Sequence, residues 1–177
     1  MKLLNLRSKN AKTEKEEPDQ TKKKKAHELA VYSIFQGIGP RELNLVRNLI
    51  LERNFKPEEM IFKIDYPHTV LFLVKEGEIS IFLEKDDKEI ELIRKKSCDF
   101  LGEMGLFIET TRTASARAVV PTKLLAITKK DFNEFTEKYP KIANKILINF
   151  NRIFCETIVS SNERLKTSSN RHKANEK

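Results

Sequence analysis

The sequence predicts a mainly β domain with flanking helices (α+β), built as a jelly roll, and three observations carry that expectation. Short apolar runs recur at close spacing between Met60 and Ile127, each closed by a turn-like cluster, the pattern of a β-sandwich or barrel. On both sides of these runs the apolar period lengthens to that of a helix. All five glycines fall between Gly37 and Gly105, inside the region so patterned.

Residues 1–26 are polar, charged and without period, and read as a disordered basic tail. From His27 the pattern changes. Leu29, Tyr32, Ser33, Ile34 and Phe35 predict a short helix ending near Gly37. Pro40 suits the first turn of a second helix, with Leu43, Leu45, Val46, Leu49 and Ile50 on its apolar side. Strands are expected at Met60–Ile64, Val70–Val74, Glu78–Leu83, Ile90–Ile93, Ser115–Val120 and Leu124–Ile127. Lys75-Glu76-Gly77 and Asp86-Asp87-Lys88 mark reversals. Asp131–Glu137 returns to a helical period, and Pro140 starts a longer helix with Ile142, Ile146, Phe150, Ile153 and Phe154 as its stripe. That helix is expected to fray around Ser160–Glu163, so one domain spans 27–165 and a basic tail follows at 166–177.

Charge is partitioned along the chain. Residues 1–26 hold nine Lys/Arg against four Asp/Glu, and residues 161–177 hold five against two. These excesses account for the whole net charge of +8, so residues 27–160 are neutral. A DNA-reading domain carries its positive charge on the fold, which excludes that class for the folded part. The run Lys22–Lys25 could touch nucleic acid or an anionic membrane surface, but solvated tail is the commoner meaning. No apolar run reaches membrane-spanning length, and the N-terminus is too polar for a signal peptide, so a cytoplasmic protein is expected. Cys98 and Cys155 make neither a disulfide framework nor a zinc site, and an inert pair of buried thiols is expected. His68 is the only histidine within the predicted barrel, which argues against a metal-dependent enzyme.

The chemistry concentrates in CDFLGEMGLFIETTRTASARA, Cys98 to Ala118. Gly102 lets backbone approach a ligand closely. Met104–Phe107 can form one helical turn whose free N–H groups face an anion. Arg112 can fork onto two phosphate oxygens. Glu103 only accepts hydrogen bonds when ionised, which suits a sugar hydroxyl rather than a phosphate. Together the acid and the base can grip two ends of a small sugar phosphate.

The same order of elements resembles the cyclic-nucleotide-binding domain family, over roughly residues 29 to 160. YSIFQGIGPRELNLV looks like its opening helical segment, LFLVKEGEISIF like its central hairpin, DFLGEMGLF like the phosphate-binding cassette and TTRTASARA like the Arg-bearing half of it. The resemblance implies a cyclic-nucleotide-binding jelly-roll barrel with N-terminal helices and a C-terminal helical lid. It implies that Glu103 binds the ribose 2′-hydroxyl and Arg112 the cyclic phosphate. The backbones of Gly102, Met104, Gly105, Thr113 and Ala114 would complete the cradle, and Ile81 would line the base pocket. Thr113 matches relatives that prefer cGMP, whereas GEMGLF resembles the GELGLF of a cAMP-binding activator, so both ligands stay open with cAMP ahead. Thr111 replaces a common Pro before the Arg, and Glu58 and Ile64 stand where relatives often have turn glycines.

The function implied is a stand-alone regulatory module, not an enzyme, that binds cAMP or cGMP with no metal or further cofactor. It would signal to an effector protein by movement of the C-terminal helix. That helix could also pair with its twin in a homodimer. The sequence leaves no room after it for a DNA-binding helix-turn-helix. The alternative is a nucleotide-free domain used as a protein-interaction scaffold, with Glu103 and Arg112 as an internal salt bridge.

Overall fold

Two four-stranded antiparallel sheets carry the molecule, with helices packed on the outside of one of them. In this computed structural model, residues 28–86 and 88–175 are described, with side chains through Lys166. The expected tail at 1–26 and the side chains of the expected tail beyond Lys166 lie outside the described residues.

The strands are β1 (Leu51–Phe55), β2 (Met60–Phe62), β3 (Val70–Glu76), β4 (Glu78–Lys85), β5 (Lys88–Lys96), β6 (Phe100–Leu101), β7 (Ser115–Ala118) and β8 (Thr122–Thr128). One sheet has the order β1-β8-β3-β6 and the other β2-β7-β4-β5. This is the expected jelly-roll arrangement, except that the sheets face each other and do not close into a barrel. The charged strand β5 ends its sheet, and β1, whose side chains are mostly exposed, ends the other.

The apolar run of β3 is buried on both faces, which is why it shows no polar alternation. Phe72 and Val74 point between the sheets, where they meet Ile79, Leu101, Ala116, Leu124 and Ala126. Leu71 and Leu73 point the other way, into a second core shared with Leu125, Ile127 and the helices. Those helices are α1 (Pro40–Arg47), α3 (Lys129–Lys138) and α4 (Pro140–Asn175), preceded by a 3-10 turn at Ser33–Phe35.

Local chemistry explains each helix boundary. Pro40 and the Glu42 carboxylate, which accepts from the Gly39 N–H at 2.9 Å, start α1. Thr128 Oγ1 accepts from the Asp131 N–H at 3.1 Å and caps α3. The N-terminal segment is tied to the rest by buried polar contacts. Tyr32 donates its hydroxyl to the Val74 carbonyl at 3.0 Å, and Asn149 of α4 donates to the carbonyls of Ile34 (3.0 Å) and Gln36 (2.9 Å).

Several boundaries depart from expectation. The short helix at Leu29–Phe35 contributes a 3-10 turn at Ser33–Phe35. β1 has no counterpart among the predicted strands, because its side chains do not alternate and it is held through backbone pairing with β8. The helix α4 does not fray at Ser160–Glu163; its backbone remains helical to Asn175. Glu58 does adopt the left-handed conformation expected of a turn glycine, with φ of 65°, but in the next turn Asp65 does so and not Ile64. Both cysteines are exposed rather than buried.

Candidate functional site

The segment singled out in the sequence folds as a wall of one cleft of about 270 Å³, at the small end of ligand sites. β6 delivers Leu101, the chain turns at Gly102, α2 (Met104–Phe107) makes a single helical turn, and a loop leads back to β7. Of the predicted site residues, Ile81, Gly102, Glu103, Met104, Arg112, Thr113 and Ala114 all line this cleft. Ile81 reaches it from β4, where it sits in register with Ala116.

Gly102 is required by its surroundings. Its φ is 85°, and a Cβ there would lie 2.6 Å from the Val70 carbonyl oxygen and collide with Arg112 Nη1. Gly105 has a different role from the one expected. It does not line the cleft; it lets α2 press against His68, whose ring Cδ2 would be 2.6 Å from a Cβ at that position.

Arg112 is held by the loop that precedes β3. The Arg112 N–H donates to the Tyr66 carbonyl at 2.9 Å, and the Arg112 carbonyl accepts from the Asp65 N–H at 2.9 Å. The His68 N–H adds a bond to the Thr110 carbonyl at 3.3 Å. This short ladder supplies the rigidity that Thr111 lacks as a replacement for Pro. Arg112 is only 4% exposed. Its Nη2 donates to the Val70 carbonyl at 2.8 Å, and the Phe62 ring covers the guanidinium at 4.0 Å.

The remaining donors of Arg112 are unused. Nε and Nη1 are buried without a hydrogen-bond partner, so Glu103 does not form the internal salt bridge with them that the scaffold reading requires. Burial pulls the Arg112 pKa down to about 10, and the charge of Glu103 opposes that pull. The guanidinium is therefore still cationic at neutral pH, but poorly solvated.

His68 stands in the same wall, and both of its ring nitrogens are also buried and unpartnered. Burial first, and the Arg112 charge second, push its pKa below the ordinary value. The nearby backbone of Gly102 and Thr111 pulls the other way without closing a well-formed hydrogen bond to either nitrogen. Among the described residues, four of the five buried, unpartnered side-chain polar atoms belong to Arg112 and His68. Native structures leave few such groups, so this concentration marks the wall as a candidate contact surface for a polar ligand.

Residues 52–139 match the model of the cyclic nucleotide-binding domain. This chain carries a cyclic nucleotide-binding domain. It is similar to the cyclic AMP receptor protein of Thermus thermophilus, 28% identical over 116 residues that cover 64% of this chain and 53% of that protein. It is also similar to the cGMP-dependent protein kinase of Plasmodium berghei, 30% identical over 101 residues that cover 57% of this chain and 11% of the kinase. In three dimensions it resembles the crystal structure of the Thermus thermophilus catabolite activator protein, with a TM-score of 0.69 and 25% identity, covering 77% of this chain and 63% of that one. The chain thus spans about half or less of the length of these two curated relatives.

Just beyond the matched residues, α4 contributes Ile153, Phe154 and Thr157 to the lining of the cleft. An aromatic cluster binds that helix to the cassette. Phe107 of α2 packs edge-on against Phe150 (5.1 Å), Phe154 (5.7 Å) and Phe132 of α3 (6.4 Å). Phe100 adds a further edge contact to Phe150 at 5.9 Å.

Sequence reasoning missed part of the lining. Phe62, His68 and Lys95 come from three separate segments with no local pattern linking them to the cassette, and Phe100 lies within DFLGEMGLF without a polar group to single it out. Ile153 and Phe154 were visible as a helical stripe, but a stripe does not say whether it meets core or ligand. No group of three or more metal-ligating side chains occurs among the described residues, and none of their helices is long and apolar enough to cross a membrane.

Proposed function

We propose that the cleft binds a cyclic nucleotide, cAMP or cGMP, and that the domain reports its occupancy to a partner protein through α4. The observation that carries this reading is the buried, cationic Arg112, which has two donors without a partner and stands in the wall of a cleft of small-ligand size. A cyclic phosphate carries one negative charge and several acceptor oxygens, which matches those donors without a metal. Glu103 then takes the ribose hydroxyl, the backbone of Gly102, Met104, Thr113 and Ala114 completes the phosphate cradle, and Ile81 lies against the base. Gly105 contributes by letting α2 seat closely.

The domain type is a regulatory, non-catalytic one, so its output is a change of shape or contact. The aromatic cluster supports α4 as the reporting element, because Phe107 links the cassette to that helix directly. Exposed Ile158, Val159 and Leu165 on α4 give the partner, or a second copy of the chain, an apolar surface to meet.

A thermal-shift series with cAMP, cGMP and cyclic dinucleotides tests the reading. A ligand at a hundredfold excess over Kd stabilises the folded state by about 2.7 kcal/mol. A clear rise in melting temperature with cAMP or cGMP is expected. No shift with any of these compounds would sink the binding reading and leave the scaffold in its place.

A further inference from the structure

We propose that His68 is a second ligand-contacting residue of this cleft, one that takes up a proton from solvent as an anionic nucleotide docks at Arg112. The inference rests on the cyclic-nucleotide reading and goes beyond it, since it assigns a residue outside the cassette and a pH dependence to the site.

The first support is geometric. His68 is 6% exposed, lines the cleft, and has neither ring nitrogen paired. A buried imidazole without a well-formed hydrogen bond loses its hydration, an arrangement that costs about 1–3 kcal/mol per unsatisfied group. The nearby backbone of Gly102 and Thr111 offsets part of that cost without closing a bond of good geometry. Its backbone is firmly placed, by the Thr110 carbonyl on one side and by the close seat of Gly105 on the other, so the ring has little freedom to escape.

The second support is electrostatic. In the free protein the ring shares its wall with the uncompensated charge of Arg112, and both burial and that charge favour the neutral form. Around it, Glu103 comes from the cassette and Lys95 from β5. Asp65 and Tyr66 lie on its own loop. Glu109, on the loop after α2, is paired with Lys129 of α3 at 2.7 Å and is almost fully exposed. β3 and β8 present apolar side chains and backbone. Of these groups, Arg112 is the charge that acts on the ring. A phosphate anion beside Arg112 offsets that charge and offers an acceptor to an imidazolium N–H.

The sign of the linkage follows. Binding raises the His68 pKa, so the bound state holds more protons than the free state between the two pKa values. Affinity is then greatest at low pH and falls as pH rises through the bound-state pKa, by up to about tenfold per pH unit for one proton.

Isothermal titration of the full chain with cAMP, and separately with cGMP, tests this near about pH 6.5, the ordinary histidine pKa. Each titration is run in two buffers with different heats of ionisation. The expected result is a buffer-dependent heat equal to uptake of a fraction of one proton, together with weaker binding at higher pH. His68→Gln keeps a polar side chain of similar reach that does not titrate, and should remove both the uptake and the pH slope. Tight wild-type binding with the same heat in both buffers would overturn the His68 proposal and leave the nucleotide reading standing. Absence of binding by either nucleotide would overturn both. The wild-type measurement decides the matter even if the variant folds poorly.

Discussion

Asn149 and Arg112 are both buried polar side chains that donate to backbone carbonyls, but they are satisfied to very different degrees. Asn149 spends its amide on Ile34 and Gln36 and leaves no buried atom without a partner. Arg112 spends one nitrogen on Val70 and leaves two unused, beside a histidine that leaves both of its own. The first arrangement is a structural clasp between the N-terminal segment and α4. The second is, on the proposed function, a site whose local cost a bound ligand would remove. Burial alone therefore does not separate structural polar groups from functional ones, whereas unused hydrogen-bonding capacity does.

The contrast can be tested from both sides. Arg112→Met keeps an apolar side chain of similar length and removes the charge. It should cost roughly 2–5 kcal/mol of nucleotide binding, read by titration calorimetry, without lowering the melting temperature of the free protein. An equal loss of stability would make Arg112 a structural residue like Asn149. Conversely, Asn149→Ala should lower stability by about 1–3 kcal/mol in denaturant titrations, because two carbonyls lose their donor. Nucleotide affinity measured on the folded variant should change little.

A smaller effect is expected from pH. The His68 pKa is lowered in the free folded state, so below its ordinary value the unfolded chain binds a proton that the folded chain resists. Stability of the free protein should therefore fall as pH drops through the histidine range, and His68→Gln should make that fall shallower. Matching slopes for the two proteins would show that the ring titrates alike in both states. The smallest effect concerns selectivity. Thr113→Ala should weaken cGMP binding by about 0.5–1.5 kcal/mol more than cAMP binding, the net worth of one hydrogen bond. Equal losses would detach Thr113 from base recognition.

Much of this site is legible in the sequence, and the unreadable part has a physical reason. Gly102, Glu103, Met104 and Gly105 are consecutive and Arg112 follows seven positions later, so their types suggest an anion-holding turn from the sequence alone. Phe62 and His68 declare nothing locally. Their roles depend on the ladder that joins Asp65–His68 to Thr110–Arg112, which is made of backbone and leaves no mark on side-chain type. The fold divides in the same way. β3 and β8 announce themselves through apolar runs that are buried. β1 carries LERNF, four exposed residues and one half-buried, and becomes a strand only because β8 offers it an edge. The fraying expected at Ser160–Glu163 reflected a cluster of polar residues, but exposed helix needs no apolar stripe to continue.

The length of α4 carries a mechanical consequence. At 1.5 Å per residue, the 25 positions from Phe150 to Asn175 span about 37 Å. Phe150 is where Phe107 of α2 and Phe100 of β6 grip the helix, so it is the natural fulcrum. A tilt of about 10° there would carry the far end through ~6 Å. A rearrangement no larger than a side chain in the cleft wall would thus become a displacement large enough to make or break a contact with another molecule.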